Sequence, residues 1–111
     1  MKYIHNNLRG GKWNKLSLVE QMANVGSEVG RTISWKKRNK KNSKLAFYRT
    51  LELLQLTLSD PKNKKGGKLK EIARVKEVLT DWYMGSVFYK SSDDQWQKYF
   101  LQFNIAARLN K

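Results

Sequence analysis

The chain of 111 residues is long enough for one domain and too short for two independent hydrophobic cores. Its 23 lysines and arginines outnumber its 9 aspartates and glutamates, and the formal net charge of +14 favours a polyanionic partner such as nucleic acid. The absence of cysteine and the single histidine, His5, exclude a disulfide framework, a thiolate metal site, a cysteine nucleophile and a pair of catalytic histidines within one chain.

We predict that residues 1–111 form a single domain whose first 15 residues are a flexible basic tail. The tail lacks the apolar stretch of a signal peptide. No run of the sequence approaches the roughly 18 apolar residues of a membrane span. We therefore expect a cytoplasmic protein without a membrane partner.

The first predicted helix extends from Ser17 to about Arg38. Its apolar residues recur three or four positions apart, which places them on one stripe of a helix. The stripe consists of Leu18, Met22, Val25, Val29 and Ile33. Gly26 and Gly30 lie inside this helix, where each glycine costs about 1 kcal/mol relative to alanine. Close packing of a neighbouring helix is the expected compensation, and docking of another subunit is the alternative.

Residues 36–42 contain no apolar side chain and are predicted to form a turn. Asn42 or Ser43 is the predicted N-cap of a second helix that continues to Leu58. Pro61 ends that helix, because proline disfavours helical conformation at the residue before it. Residues 63–67 are predicted to form a flexible polar loop.

The third predicted helix carries apolar residues at helical spacing from Leu69 to Trp82. Gly85 follows it and is suited to the left-handed conformation that often ends a helix. Residues 87–89 are predicted to be a short apolar connector. Ser92 and Gln95 then have the spacing of a capping box at the start of a fourth helix.

Four amphipathic helices with short connections predict an all-α fold, an up-and-down antiparallel four-helix bundle. In that topology the basic loop residues collect at the two ends of the bundle, and we predict that they bind nucleic-acid phosphates. The alternative is that these charges are merely solvated. The candidate residues at one end are Lys36, Lys37, Arg38, Lys40, Lys41 and Lys44. Those at the other end are Lys62, Lys64, Lys65, Lys68 and Lys70.

We expect no enzymatic activity and no cofactor. Glu77 and Asp81 lie one helical turn apart and Asp93 and Asp94 are adjacent, which resembles a Mg²⁺ site. Helix capping and local ion pairs explain these acids more simply. The glycine-rich phosphate loops of nucleotide-binding proteins are absent from the sequence.

Residues 23–31 (ANVGSEVGR), a basic turn and residues 46–53 (AFYRTLEL) resemble a known family. It comprises small four-helix-bundle proteins encoded in intervening sequences of large-subunit ribosomal RNA genes, and the accessory variability (Avd) proteins of diversity-generating retroelements. The resemblance implies a ring-forming, pentameric homo-oligomer that binds RNA and, in the retroelement branch, a reverse transcriptase. It adds Arg31 and Arg49 to the candidate nucleic-acid-binding residues. Another helical family, the HEPN ribonucleases, needs an arginine followed by a histidine, whereas His5 precedes every arginine here.

The sequence thus favours a non-enzymatic RNA-binding accessory protein, forming homo-oligomers and supporting a partner such as a reverse transcriptase. Two alternatives stay open at this stage. One is a protein-interaction module for an acidic partner, and the other is a helical bundle that binds DNA without sequence specificity.

Overall fold

The computed structural model describes residues 11–85 and 90–109. It contains four α-helices: α1 (Leu18–Trp35), α2 (Lys40–Ser59), α3 (Lys68–Met84) and α4 (Asp93–Leu109). Two short 3-10 helices, Trp13–Lys15 and Pro61–Lys64, precede α1 and follow α2. No strand occurs in either described range, which confirms the predicted all-α class. The predicted connector at residues 87–89 lies outside the described residues.

Three of the helix termini follow from local sequence signals. At the start of α1, the Glu20 N–H donates to Ser17 Oγ at 3.2 Å and the Ser17 N–H donates to Glu20 Oε1 at 3.0 Å. The predicted capping box of α4 has the same form, with distances of 3.1 Å and 2.8 Å between Ser92 and Gln95. Gly85 ends α3 with a φ of 75°, a conformation that side chains other than glycine rarely adopt.

The start of α2 differs from the prediction. Asn39 caps the helix, since its Oδ1 accepts the N–H of Asn42 at 3.1 Å. Ser43 is buried and donates its hydroxyl to a carbonyl oxygen of α1 at 2.8 Å. The prediction of Asn42 or Ser43 as N-cap was wrong because lysine is a good helix former, so a run without apolar residues need not be a turn. The turn between α1 and α2 is therefore only residues 36–39.

Neighbouring helices run antiparallel. Lys36, directly after α1, contacts Asp93 at the start of α4, with 2.9 Å between Nζ and Oδ1. Phe47, in the first half of α2, stacks on Tyr83 at the end of α3 with ring centroids 4.1 Å apart. Helix α1 packs along both α2 and α4, and α3 packs on α2. These contacts confirm the up-and-down four-helix bundle.

All four helices contribute apolar stripes to a single core. The side chains at its centre are almost completely buried, and burial of each large apolar side chain stabilises a fold by about 1.5 to 3 kcal/mol. The central residues are Met22, Val25, Val29, Phe47, Leu53, Leu54, Ile72, Val75, Leu79, Trp82, Trp96 and Phe100. Within the described ranges, no helix has both the length and the apolar character needed to cross a membrane.

Residues 11–15 are not the flexible tail that the sequence predicted. Trp13 is 2% exposed, and its indole N–H donates to Thr57 Oγ1 on α2 at 3.0 Å. Its carbonyl oxygen accepts a hydrogen bond from Gln21 Nε2 on α1 at 3.0 Å. The prediction was wrong here because one large aromatic residue can anchor a segment that lacks any periodic pattern. Residues 1–10 of the predicted tail lie outside the described residues.

The prediction of a flexible loop at residues 63–67 was also wrong for its first residue, Asn63. Asn63 is 1% exposed and belongs to the 3-10 helix after α2. Its Nδ2 donates to Gln21 Oε1 and to the carbonyl oxygen of Thr57, each at 2.9 Å. Asparagine is common in loops, but this side chain is inside the protein, where its hydrogen bonds offset the loss of water.

Candidate nucleic-acid interface

The predicted basic clusters lie at opposite ends of the bundle, because the 20-residue helix α2 separates them. We call the end formed by residues 36–44 the first pole and the end formed by residues 62–70 the second pole. A helix rises about 1.5 Å per residue, so the poles are roughly 30 Å apart. The structure assigns different roles to the basic residues at each pole.

Lys36, at the first pole, has a structural role. Its Nζ lies 2.9 Å from Asp93 Oδ1, and the same oxygen accepts the indole N–H of Trp82 at 2.8 Å. The Nζ also lies 4.7 Å from the centroid of the Trp82 ring. Burial raises the pKa of Asp93, but the hydrogen bonds from Lys36 and Trp82 outweigh this and hold the pKa below its usual value. Lys36 therefore links α1 to α3 and α4.

Lys62, at the second pole, is engaged in a similar way. Its Nζ forms an ion pair with Asp60, which is 2% exposed, and also donates to the carbonyl oxygen of Asn14 at 3.2 Å. Asp60 accepts a further hydrogen bond from Gln21 Nε2 at 2.8 Å. Burial raises the pKa of Asp60, but the hydrogen bonds from Lys62 and Gln21 outweigh it and lower the pKa overall. This cluster fixes the N-terminal segment and the α2–α3 connection together.

Arg31 and Arg49 share one buried carboxylate, that of Glu28, which is 4% exposed. Arg31 Nη1 forms an ion pair with Glu28 Oε1, and Arg49 Nε lies 4.0 Å from Glu28 Oε2. Both arginine side chains remain 40% or more exposed. They line a surface cavity of about 360 Å³ together with Trp13, Asn24, Ser27, Glu28 and Leu53. The two arginines thus come together around one carboxylate, which neutralises one of their two charges.

The other candidate residues are exposed and form no ion pair with an acid in the described part of the chain. At the first pole these are Lys37, Arg38, Lys40, Lys41 and Lys44. At the second pole they are Lys64, Lys65, Lys68 and Lys70. Because these charges have no acidic neighbour in direct contact, they are the residues best placed to neutralise phosphates.

Two aromatic rings lie among the exposed cations of the first pole, and neither belongs to the predicted binding residues. The guanidinium carbon of Arg38 lies 4.9 Å from the centroid of the Trp35 ring. The Nζ of Lys44 lies 5.7 Å from the centroid of the Tyr48 ring. Two features of the sequence could have identified these rings. One is the basic segment that follows Trp35, and the other is the i, i+4 spacing of Lys44 and Tyr48.

The three acids that hold the structural cations were also missed. Asp93 was interpreted as a helix-capping residue, and neither Asp60 nor Glu28 was among the candidate residues. Asp93 is paired with Lys36, 57 residues away, which only the packing of the helices brings close. Asp60 and Glu28 instead pair with Lys62 and Arg31, two and three residues along the chain. Packing adds Gln21 as a further partner of Asp60 and Arg49 as a further partner of Glu28. Within residues 11–85 and 90–109 there is no cluster of three or more metal-ligating side chains.

No protein-family model, curated protein sequence or solved structure matches the chain significantly. The resemblance to the intervening-sequence and Avd proteins therefore stays a prediction.

Proposed function

We propose that the protein is a non-enzymatic, homo-oligomeric accessory protein that binds RNA through its two basic poles. The observation that supports this most directly is how the charges are distributed. The buried carboxylates of Asp60 and Glu28 and the half-buried one of Asp93 all have cationic partners, while the remaining pole residues are exposed without acidic contacts. A polyanion is the ligand that matches such a surface.

The energetic reason is the release of counterions. Each phosphate of a single strand that a cation neutralises contributes about 0.7 to the slope of log affinity against log salt. Lysine predominates over arginine at both poles, and lysine acts as a point charge without the planar fork that reads guanine edges. The expected binding therefore depends strongly on salt and weakly on base sequence.

The preference for RNA and the identity of a protein partner rest on the sequence resemblance. It supports RNA as the ligand and the reverse transcriptase of a diversity-generating retroelement as the partner. A DNA-binding bundle and a module for an acidic protein are the alternatives. Purification of the tagged protein with and without ribonuclease or deoxyribonuclease separates all three, because an acidic protein partner survives both nucleases.

The decisive experiment neutralises each pole without touching the structural ion pairs. One variant changes Lys37, Arg38, Lys40, Lys41 and Lys44 to Gln, and the other changes Lys64, Lys65, Lys68 and Lys70 to Gln. Lys36 and Lys62 are retained, since they pair with Asp93 and Asp60. We expect weaker RNA binding at low salt and a salt slope that is flatter by about 2 to 3 units.

The control is Lys98→Gln, which removes an exposed lysine on α4 that belongs to neither basic cluster and pairs with Asp94. We expect it to leave the salt slope unchanged within the error of the measurement. If both pole variants bound RNA with the affinity and salt slope of the parent, the charges would serve solvation only. The acidic protein partner would then become the better hypothesis.

The exposed apolar residues of α4 support self-association. Leu101, Ile105 and Leu109 are 53%, 49% and 79% exposed and recur every four residues along one side of the helix. Residues 101–107 contain no charged side chain. A second copy of this chain also carries a net charge of +14, so contact through an uncharged surface limits repulsion between copies. We propose that this stripe is the contact between copies.

A further inference from the structure

We propose that the first pole selects unpaired nucleotides, with Trp35 and Tyr48 as the surfaces on which bases stack. This inference rests on the proposed nucleic-acid binding and specifies its ligand as a single strand. Proteins that bind single strands combine a cationic surface, which follows the phosphates, with flat aromatic rings, which stack on the bases. The first pole has both.

Trp35 differs from the other tryptophans that the structure describes. Trp13, Trp82 and Trp96 are between 2% and 8% exposed and lie in the core. Each of these three donates its indole N–H to a side-chain oxygen at 2.8 to 3.0 Å. Trp35 is the last residue of α1, is only partly buried and lies outside the core cluster. The central hydrophobic core therefore does not account for a tryptophan at this position.

Tyr48 likewise lies outside the core cluster and is only partly buried. Lys41, Lys44 and Tyr48 are spaced three and four residues apart, so these side chains lie along one side of α2. The buried side of the same helix carries Phe47 and Thr50 instead. Tyr48 thus shares its surface with cations that are exposed without acidic partners.

The cations next to the rings indicate how a strand would be held. Arg38 lies over the Trp35 ring and Lys44 over the Tyr48 ring. A cation–π contact at an exposed site is weaker than the stacking of a base on an aromatic ring. An incoming base therefore replaces the cation over the ring, and the displaced cation remains close enough to pair with the adjoining phosphate. A duplex keeps its bases inside the helix and gains only the phosphate contacts.

The test compares short single-stranded oligouridylate with an RNA duplex of equal length. We expect Trp35→Ala and Tyr48→Ala each to weaken binding of the single strand by about 5- to 150-fold, the usual range for loss of one stacked base. Binding of the duplex and the salt slope for both ligands are expected to stay at parental values. Far-UV circular dichroism and thermal melting check that each variant is folded.

A fluorescence experiment gives an independent readout that does not require a truncated side chain. Stacking on Trp35 is expected to quench the intrinsic tryptophan emission when oligouridylate is added. In Trp35→Phe the ring is retained, so the affinity should persist while the quenching disappears. Quenching that persisted undiminished in Trp35→Phe would overturn the inference.

The two levels of the proposal fail in different ways. If Trp35→Ala and Tyr48→Ala bound the single strand as tightly as the parent while the first-pole glutamine variant lost binding, phosphate contact would stand and stacking would be refuted. If the glutamine variants also bound like the parent, the proposed binding of nucleic acid through the two poles would itself be refuted.

Discussion

Gly26 of α1 lies against Phe100 of α4 so closely that a Cβ at residue 26 would be 2.7 Å from the Cβ of Phe100. The expected compensation for this helical glycine, close packing of another helix, is thus confirmed. Gly30, one turn further along, has nothing within 4 Å of the corresponding position, so close packing was the wrong explanation there. Docking of another subunit at Gly30 stays a prediction.

The two glycines predict opposite effects of the same substitution. Gly26→Ala places a methyl group against the Cβ of Phe100, and overpacking of this kind costs typically about 1 to 3 kcal/mol. Gly30→Ala meets no obstacle and should stabilise the protein by up to about 1 kcal/mol through helix propensity. Chemical denaturation of both variants measures the difference. Equal free energies of unfolding would show that α1 and α4 are not packed as described.

The aromatic residues of α4 predict a graded loss of stability. Trp96 is 7% exposed, and its replacement by alanine should cost about 3 to 5 kcal/mol. That loss approaches the whole stability of a small domain. Phe103 is only partly buried at the edge of the core, so Phe103→Ala should cost less. A melting temperature of Trp96→Ala within a degree or two of the parent would show that α4 packs a different face against the core.

The buried Asp60 predicts a loss of stability in acid. Because the pKa of Asp60 is lowered below 3.8 in the fold, its contribution is complete above that pH and disappears as pH falls through the lowered pKa. Asp60→Asn should reduce stability at neutral pH by about 1.5 to 3 kcal/mol, since hydrogen bonds to a charged acceptor are lost. It should also flatten the dependence of unfolding free energy on pH below about 4.

Thermal melting of the parent and Asp60→Asn between neutral pH and strong acid measures this effect. Asp94→Asn is the control, because the Asp94 carboxylate is exposed on α4 and pairs, among the described residues, with the exposed Lys98. An Asp60→Asn variant with the same pH dependence as the parent would contradict the role assigned to the buried carboxylate.

The distinction between structural and exposed cations predicts that neighbouring lysines behave differently. Lys36→Gln removes the contacts with Asp93 and Trp82 and should lower stability by about 1 kcal/mol, given that exposed ion pairs and cation–π contacts are each worth roughly that or less. Lys37→Gln should leave stability within about 0.5 kcal/mol of the parent. RNA affinity should fall in Lys37→Gln, and equal stability losses in the two variants would argue against the distinction.

If the apolar stripe of α4 joins the copies, a charged substitution within it should dissociate the oligomer. Ile105→Glu should shift the protein from an oligomer to a monomer in light scattering, since it places a carboxylate within the proposed contact. Gln55→Glu introduces the same charge at an exposed position of a different helix, α2. We expect it to retain the oligomer. A parent protein that was monomeric at micromolar concentration, with and without RNA, would refute self-association.

The sequence by itself determined the fold class and half of the helix termini. The capping boxes that begin with Ser17 and Ser92, the stop at Pro61 and the left-handed Gly85 are local signals, because each depends on residues within one turn of the chain. The spacing of the apolar residues likewise identified the stripe that each helix turns to the core. Local signals failed at the N-cap Asn39, because lysine-rich segments suit helices and turns alike.

Only the tertiary structure decided which basic residues are engaged within the fold. Lys36 and Asp93 are 57 residues apart in sequence, and their contact depends on how α1 and α4 are rotated about their axes. The burial of Trp13 against Thr57, 44 residues away, depends on the same packing. Lys62 and Arg31 do have their acids two and three residues away in sequence. Spacing alone does not show that these acids are buried, or that a contact joins two helices, because both depend on how the helices pack.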